Sequence, residues 1–237
     1  MSTFAEVLAA QLRHEPGRPF ITFYDQDSGE RIELSMTTYA NWVAKAAGLL
    51  AEEGDLERGQ TLRLDLPPHW MVPVFAGAAW SIGAAVSFEG DGDVVVCGPD
   101  TLTQWAESGH DQVFACALAP LGGRFADGVP HGVHDVGIEI WSQPDAFTAW
   151  DAPGGDDVAV VGPEGSLSQN AMMRAATVGT LLTDGGRLLS VAGPASPPEV
   201  ATFTEPLVRG GSLVLIRNPH PDLLDGVADA ERVTHRV

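Results

Sequence analysis

The sequence predicts an α/β protein with mostly parallel sheets flanked by helices. Three observations predict it. Short apolar strands alternate with helical segments along most of the chain, the mark of repeated βα units. Hydrophobic residues make up 44% of the 237 residues, enough to bury a sizeable core. The 27 glycines and 17 prolines are spread along the chain rather than gathered in tracts, which reads as globular rather than disordered.

Taken in order, Phe4, Val7, Leu8 and Leu12 fall on one face of a helix that Pro16 and Gly17 stop. Residues 20–24 and 31–34 read as two strands of a hairpin around a turn at Asp25 to Gly29. Met36, Tyr39, Ala40, Val43, Ala46, Ala47 and Leu50 share the apolar face of the clearest helix, with Ser35 or Thr37 to cap it and Gly54 beyond its end. A strand at 61–66, a helix from about Trp70 to Ile82 and a strand at 84–88 follow. The alternation continues with strands at 94–97 and 113–118 around a helix near 101–107. Between Ala119 and Gly154 the pattern weakens, and loops are expected with one strand near 137–141. Strands at 158–161, 188–191 and 213–216 then alternate with helices at 167–182, 198–209 and 222–228. The whole is read as one domain over 1–237, with about 1–145 and 155–237 as two lobes.

Charge and chemistry narrow the function. The formal charge is −19, a field that repels nucleic acid and anionic membranes. Lys45 is the only lysine; every other basic side chain is an arginine. Cys97 and Cys116 sit in apolar runs and read as buried thiols, too few for a disulfide framework. No apolar run reaches the length of a membrane span, and Met1 to Pro16 lacks the basic flank and apolar stretch of a signal peptide, so a cytoplasmic location is expected.

Two stretches carry a family resemblance. The first runs from Leu34-Ser35-Met36-Thr37-Thr38-Tyr39 through Glu57-Arg58-Gly59-Gln60 and Pro67-Pro68 to Gly83-Ala84-Ala85. The second includes Asp157 to Val161, Ser168-Gln169-Asn170, Gly186 to Ser190, Leu207 to Arg217 with Gly210-Gly211, and Glu231 to Thr234. In this order they resemble the N-terminal part of acyl-CoA synthetases and other adenylate-forming, AMP-binding enzymes. The chain is identified as a member of an actinobacterial family distantly similar to those enzymes, truncated and degenerate beside them. The resemblance implies the N-terminal part of the acyl-CoA synthetase-like fold.

The departures bear on activity. Adenylate-forming enzymes hold ATP phosphates on a Ser/Thr/Gly-rich loop containing Pro-Lys-Gly, where backbone N–H groups and a lysine meet the oxygens. Here Gly162-Pro163-Glu164-Gly165-Ser166-Leu167-Ser168 is shorter, lacks lysine and carries Glu164. It reads as a plain strand–turn–helix connection. Gly162, Gly165, Ser166, Ser168 and Gln169 are the candidate ligand contacts, as a remnant phosphate loop able to take at most a weak anion. The family's aromatic and histidine after the next strand are replaced by Ala192 to Pro197, and the family's later parts, with their catalytic lysine, are missing. Lys45 is expected on a solvated helix face, far in sequence from the loop.

Other clusters are weaker. His131-Gly132-Val133-His134-Asp135 is read as an exposed loop rather than a metal site, and Glu89 to Asp93 as an acidic turn that lacks the late bidentate Glu of a calcium loop. Trp42, Trp70 and Trp80 read as packing residues. No catalytic residue, metal ligand or cofactor is assigned; AMP and ATP are not expected. The leading expectation is a non-catalytic binding or regulatory module taking a small-molecule ligand. The alternatives are a structural protein acting as a homodimer, and an enzyme or weak nucleotide binder repurposed in the remnant cleft.

Overall fold

A computed structural model describes residues 2–163, 165–193 and 200–237. Its helices are α1 (Phe4–His14), α2 (Met36–Glu52), α3 (Met71–Ile82), α4 (Leu102–Ala106), α5 (Val136–Glu139), α6 (Gln169–Val178), α7 (Ala201–Val208) and α8 (Pro221–Ala230). Its strands are β1 (Pro19–Asp25), β2 (Glu30–Ser35), β3 (Thr61–Asp65), β4 (Ala85–Ser87), β5 (Val94–Cys97), β6 (Val113–Ala115), β7 (Val133–Asp135), β8 (Val158–Gly162), β9 (Gly165–Ser168), β10 (Arg187–Ser190), β11 (Ser212–Arg217) and β12 (His235–Arg236).

Two sheets form. One has the order β12-β10-β11-β1-β2 and the other β7-β6-β5-β3-β4-β8-β9. Both are parallel except for one antiparallel edge strand each, β2 against β1 and β9 against β8. The first sheet joins β1 and β2 to strands from the far end of the chain, Ile21 standing opposite Leu213. In the second, β4 pairs with β8 across the 145–155 stretch, so that stretch does not coincide with a division between the sheets.

The strand period of two explains the layering. Along β11, Leu213 and Leu215 join the large central core, while Val214 and Ile216 pack outward with Ala228 and Leu224 of α8. Along β5, Val94 and Val96 face the central core, and Val95 and Cys97 pack outward with Trp105 of α4. The central core also draws on α1, α2, α3, α6 and α7. Helices therefore lie between the sheets and outside both. Helix α3 occupies this middle layer; it is apolar around its circumference and buried almost throughout, as an interior helix must be. Trp42, Trp70 and Trp80 are all buried, and Trp80 Nε1 donates to the Ala159 carbonyl at 2.7 Å.

Local chemistry sets the ends of elements. Thr3 and Glu6 form a reciprocal capping box on α1, and the Ser35 hydroxyl caps α2. Gly83 closes α3 at φ +95°, a conformation that other residues adopt only with strain. Two sequence expectations are corrected. The strand expected near 137–141 is helical instead, and the strand lies just before it, at Val133–Asp135. The Asp135 carboxylate caps the new helix by accepting from Gly137 N, and a Cβ on Gly137 would fall 2.5 Å from the Arg124 backbone. The helix expected over 167–182 spans only Gln169–Val178, because Leu167 and Ser168 are drawn into pairing with β8. Among the described residues no helix is long and apolar enough to cross a membrane.

Gly77 is a point of close approach between α3 and its neighbours. An alanine there would gain about 1 kcal/mol of helix propensity. Its Cβ would lie 2.6 Å from Tyr39 Oη and 2.7 Å from Phe4 Cζ, and overpacking of this kind costs about 1–3 kcal/mol. Gly77→Ala is expected to lower stability, by up to about 2 kcal/mol, in urea unfolding; a stabilised variant would contradict the packing account.

Candidate functional site

The remnant phosphate loop is a β-hairpin. β8 is apolar and half buried, with Ala159 and Val160 inward, and it pairs in parallel with β4. On its other side β9 pairs antiparallel, Val161 opposite Ser166 and Gly162 opposite Gly165. Residues 163 and 164 alone connect the two strands. Gly165 sits at φ +124°, open to glycine and strained for other residues. The strand–turn–helix connection expected from sequence is thus corrected: a second strand, Gly165–Ser168, intervenes before the helix because it pairs with β8. Glu164, and Pro194 to Pro197 of the replaced substrate-side motif, lie outside the described residues.

The amino end of α6 is already satisfied. The first N–H groups of a helix normally lack intrahelical partners, which is why helix starts attract anions. Here Gln169 N donates to the Asp157 carbonyl and Asn170 N to the Gly155 carbonyl, both at 2.8 Å. Ala171 N donates to the Ser168 hydroxyl at 3.3 Å. Gln169 itself is fully buried. Its Oε1 accepts from Phe4 N and its Nε2 donates to the Trp80 carbonyl, each at 2.9 Å. Gly162, Gly165 and Ser166 thus gather at the exposed tip of the hairpin, while Gln169 lies in the core about 13 Å further along, at roughly 3.3 Å per strand residue.

Positive charge is sparse around this unit. Between Val158 and Val178 the only basic residue is Arg174, exposed on α6. Lys45 corrects a second expectation. Rather than extending from a solvated face, it donates to the Gln143 carbonyl and pairs with Asp145 at 3.0 Å, tying down the segment that follows α5. Arg58 does the same further along, gripping Asp157 with two hydrogen bonds of 2.8 Å and reaching Asp151 at 3.1 Å.

The remaining clusters are engaged within the fold. His134 stacks on Phe114 at 4.4 Å and meets Glu139 at 2.9 Å. Asp135 accepts from Gly137 N and Phe125 N, so the 131–135 segment is a paired strand end rather than the free loop expected. Asp93 accepts from Thr61 N at 2.7 Å and Asp91 from Gly92 N at 2.9 Å. Among the described residues no three His, Cys, Asp or Glu side chains converge as a metal site. Cys97 and Cys116 are buried free thiols, as read from sequence; burial pushes the Cys97 thiol up to about 12 and Cys116 upward too, so neither is a ready nucleophile.

Sequence reading missed His69. β3 leads through α3 to β4 on one side, and β5 leads through α4 to β6 on the other. Their carboxyl ends therefore meet at a topological switch point, where open α/β sheets bind ligands. Here Gly98 lies close to both neighbouring loops: a Cβ on it would meet Pro67 at 3.4 Å and Leu118 at 3.5 Å. His69 lies beneath, 1% exposed, with Nδ1 accepting from Met71 N at 3.2 Å and Nε2 without a partner. It faces a void of about 10 Å³ shared with Cys116 and Leu118, room for about one water. The signal was position alone: His69 falls between the strand expected to end at 66 and the helix expected from about Trp70, at a strand's carboxyl end.

No family model matches the chain. A TIGR03089 family protein of Mycobacterium tuberculosis is 33% identical over 234 residues, covering 96% of this chain and 95% of the relative. The chain belongs to the TIGR03089 family.

For this family member the solved structures give the fold. An acyl-CoA synthetase of Brucella canis matches with a TM-score of 0.81 at 17% identity, over 99% of this chain and 47% of its own. The anthranilate CoA ligase AuaEII matches at 0.76 with 13% identity, over 99% and 48%. The N-terminal domain of FACL13 from Mycobacterium tuberculosis matches at 0.76 with 14% identity, over 98% and 62%. The TIGR03089 chain thus has the N-terminal acyl-CoA synthetase-like fold resembled by its sequence. It spans about half the length of the two ligases.

Two measurements probe this region. Gln169→Leu would strand the Phe4 N–H and the Trp80 carbonyl in the core, and is expected to cost about 2–6 kcal/mol in chemical denaturation, since each orphaned group costs about 1–3. For His69, burial first and then the charge of Arg217 lower the folded pKa to about 3. Below about pH 6.5 the unfolded imidazole takes up a proton that the folded one refuses. Stability should therefore fall as pH drops from about 6.5 toward 3, with this group contributing up to about 1.4 kcal/mol per pH unit. Unfolding midpoints between pH 7 and 4.5 should show a shallower slope in His69→Gln, whatever its absolute stability; an unchanged slope would remove His69 as the cause.

Proposed function

We propose that this TIGR03089 member does not activate acids with ATP and acts as a non-catalytic binding module on the acyl-CoA synthetase-like scaffold. The observation that carries the reading is the two-residue β8–β9 connection followed by a helix start whose N–H groups are already bonded. A triphosphate needs several converging N–H donors and cationic charge while its bonds change, and such stabilisation is usually the largest catalytic contribution. With only two residues between the paired strands, too few free donors remain to surround it. Lys45, Arg58, Arg31 and Arg187 are engaged within the fold, Lys45 with Asp145, Arg58 with Asp157, and Arg31 and Arg187 with Glu231, which leaves Arg174 as the one basic residue between Val158 and Val178. A net charge of −19 adds long-range repulsion toward a polyanion.

Purified protein incubated with ATP, Mg²⁺ and a panel of carboxylic acids is expected to release no pyrophosphate above a protein-free control. Acid-dependent release that scales with protein concentration would overturn the proposal.

A further inference from the structure

A large cavity lies away from the hairpin. It measures about 630 Å³ and is bounded by α1, α2 and the segment 145–153. That volume is within the range of about 300–1,000 Å³ typical of small-molecule sites. Its construction follows from the two cations described above. Lys45 holds Gln143 and Asp145 at one end of the segment, and Arg58 holds Asp151 and Asp157 at the other. Between these anchors the chain passes over α2, with Phe147 packed against the central core. The helices beneath present Ala5 and Ala9 from α1, and Ala40 and Ala44 from α2. Residues four apart share a helix face, so each alanine pair leaves a slot between the larger side chains of the same walls, among them Leu8, Leu12 and Val43.

Two polar side chains of the lining, Asn41 of α2 and Thr148 of the overlying segment, have no hydrogen-bond partner among the described residues. The nearby charge is unwelcoming to anions: Asp145 lines the same cavity, and Lys45 is occupied by Asp145 and the Gln143 carbonyl. An apolar slot whose free polar groups are neutral, the Asn41 carboxamide and the Thr148 hydroxyl, and which a carboxylate borders, selects against a charged acid and for a neutral head on a slender apolar body.

We infer that the cavity between α1, α2 and segment 145–153 binds an unbranched alkyl chain with a neutral hydrogen-bonding head at Asn41. The inference rests on the binding-module reading, yet the two fail separately: pyrophosphate release would remove that reading without bearing on this cavity, and the titrations below bear on the cavity alone.

The test is calorimetric titration of the full chain with octanol and with octanoate at neutral pH. Octanol is expected to bind saturably at one site with a negative heat-capacity change, and octanoate at least about tenfold more weakly. Ala9→Phe, which places a ring in the slot, should abolish octanol binding while the thermal midpoint stays near that of the natural chain. Asn41→Leu should weaken octanol about tenfold, and it keeps the test decisive should Ala9→Phe fold poorly. The inference is overturned if octanol does not bind, if octanoate binds as tightly, or if a folded Asn41→Leu variant binds octanol unchanged.

Discussion

The carboxamide of Gln169, sealed from solvent, holds the start of α6 to two other helices at once. It accepts from the first residue of α1 and donates to a carbonyl near the end of α3. Directed hydrogen bonds in an apolar interior are stronger than in water and costly to leave unmade, so this side chain fixes where α6 can begin. The backbone of the same residue bonds to Asp157, whose carboxylate Arg58 grips. One residue thus connects the central core to the hairpin and, through Arg58, to the segment that roofs the large cavity.

That fixation shapes what the hairpin can do. A helix start becomes an anion site when its N–H groups point into open space. In this chain the backbone of Gly155 and Asp157 and the hydroxyl of Ser168 already fill those positions. The acyl-CoA synthetase-like scaffold is present, but the local chemistry at its hairpin is internal. The same pattern recurs with charge. Glu231 lies between Arg31 and Arg187, and Tyr24 donates to it at 2.5 Å, so these arginines hold β12 and the end of α8 to the first sheet.

Layering follows from the alternation along each strand. Because β5 and β11 are apolar on both faces, each can serve the shared core on one side and a private cluster on the other. The middle layer then needs a helix with no polar face, and α3 supplies it. Gly77 permits the approach of Phe4 and Tyr39, so close packing at the centre depends on a missing side chain as much as on the bulky ones.

The sequence by itself determined the α/β class, the hairpin at β1–β2, the long helix after Ser35, the burial of both cysteines and three tryptophans, and the resemblance to adenylate-forming enzymes. These follow from local periodicity, end signals and residue order, which act over a few neighbouring residues. Only the tertiary structure decided the partners. It put Lys45 against residues about a hundred positions away, drew Gly165 to Ser168 into a strand because β8 was there to pair with, buried Gln169 and His69, and turned 136–142 into helix through one aspartate cap. Each depends on contacts between residues distant in sequence, and nothing in the local pattern of a lysine, a glutamine or a histidine states which carbonyl or ring will stand beside it once the sheets have closed over the same core.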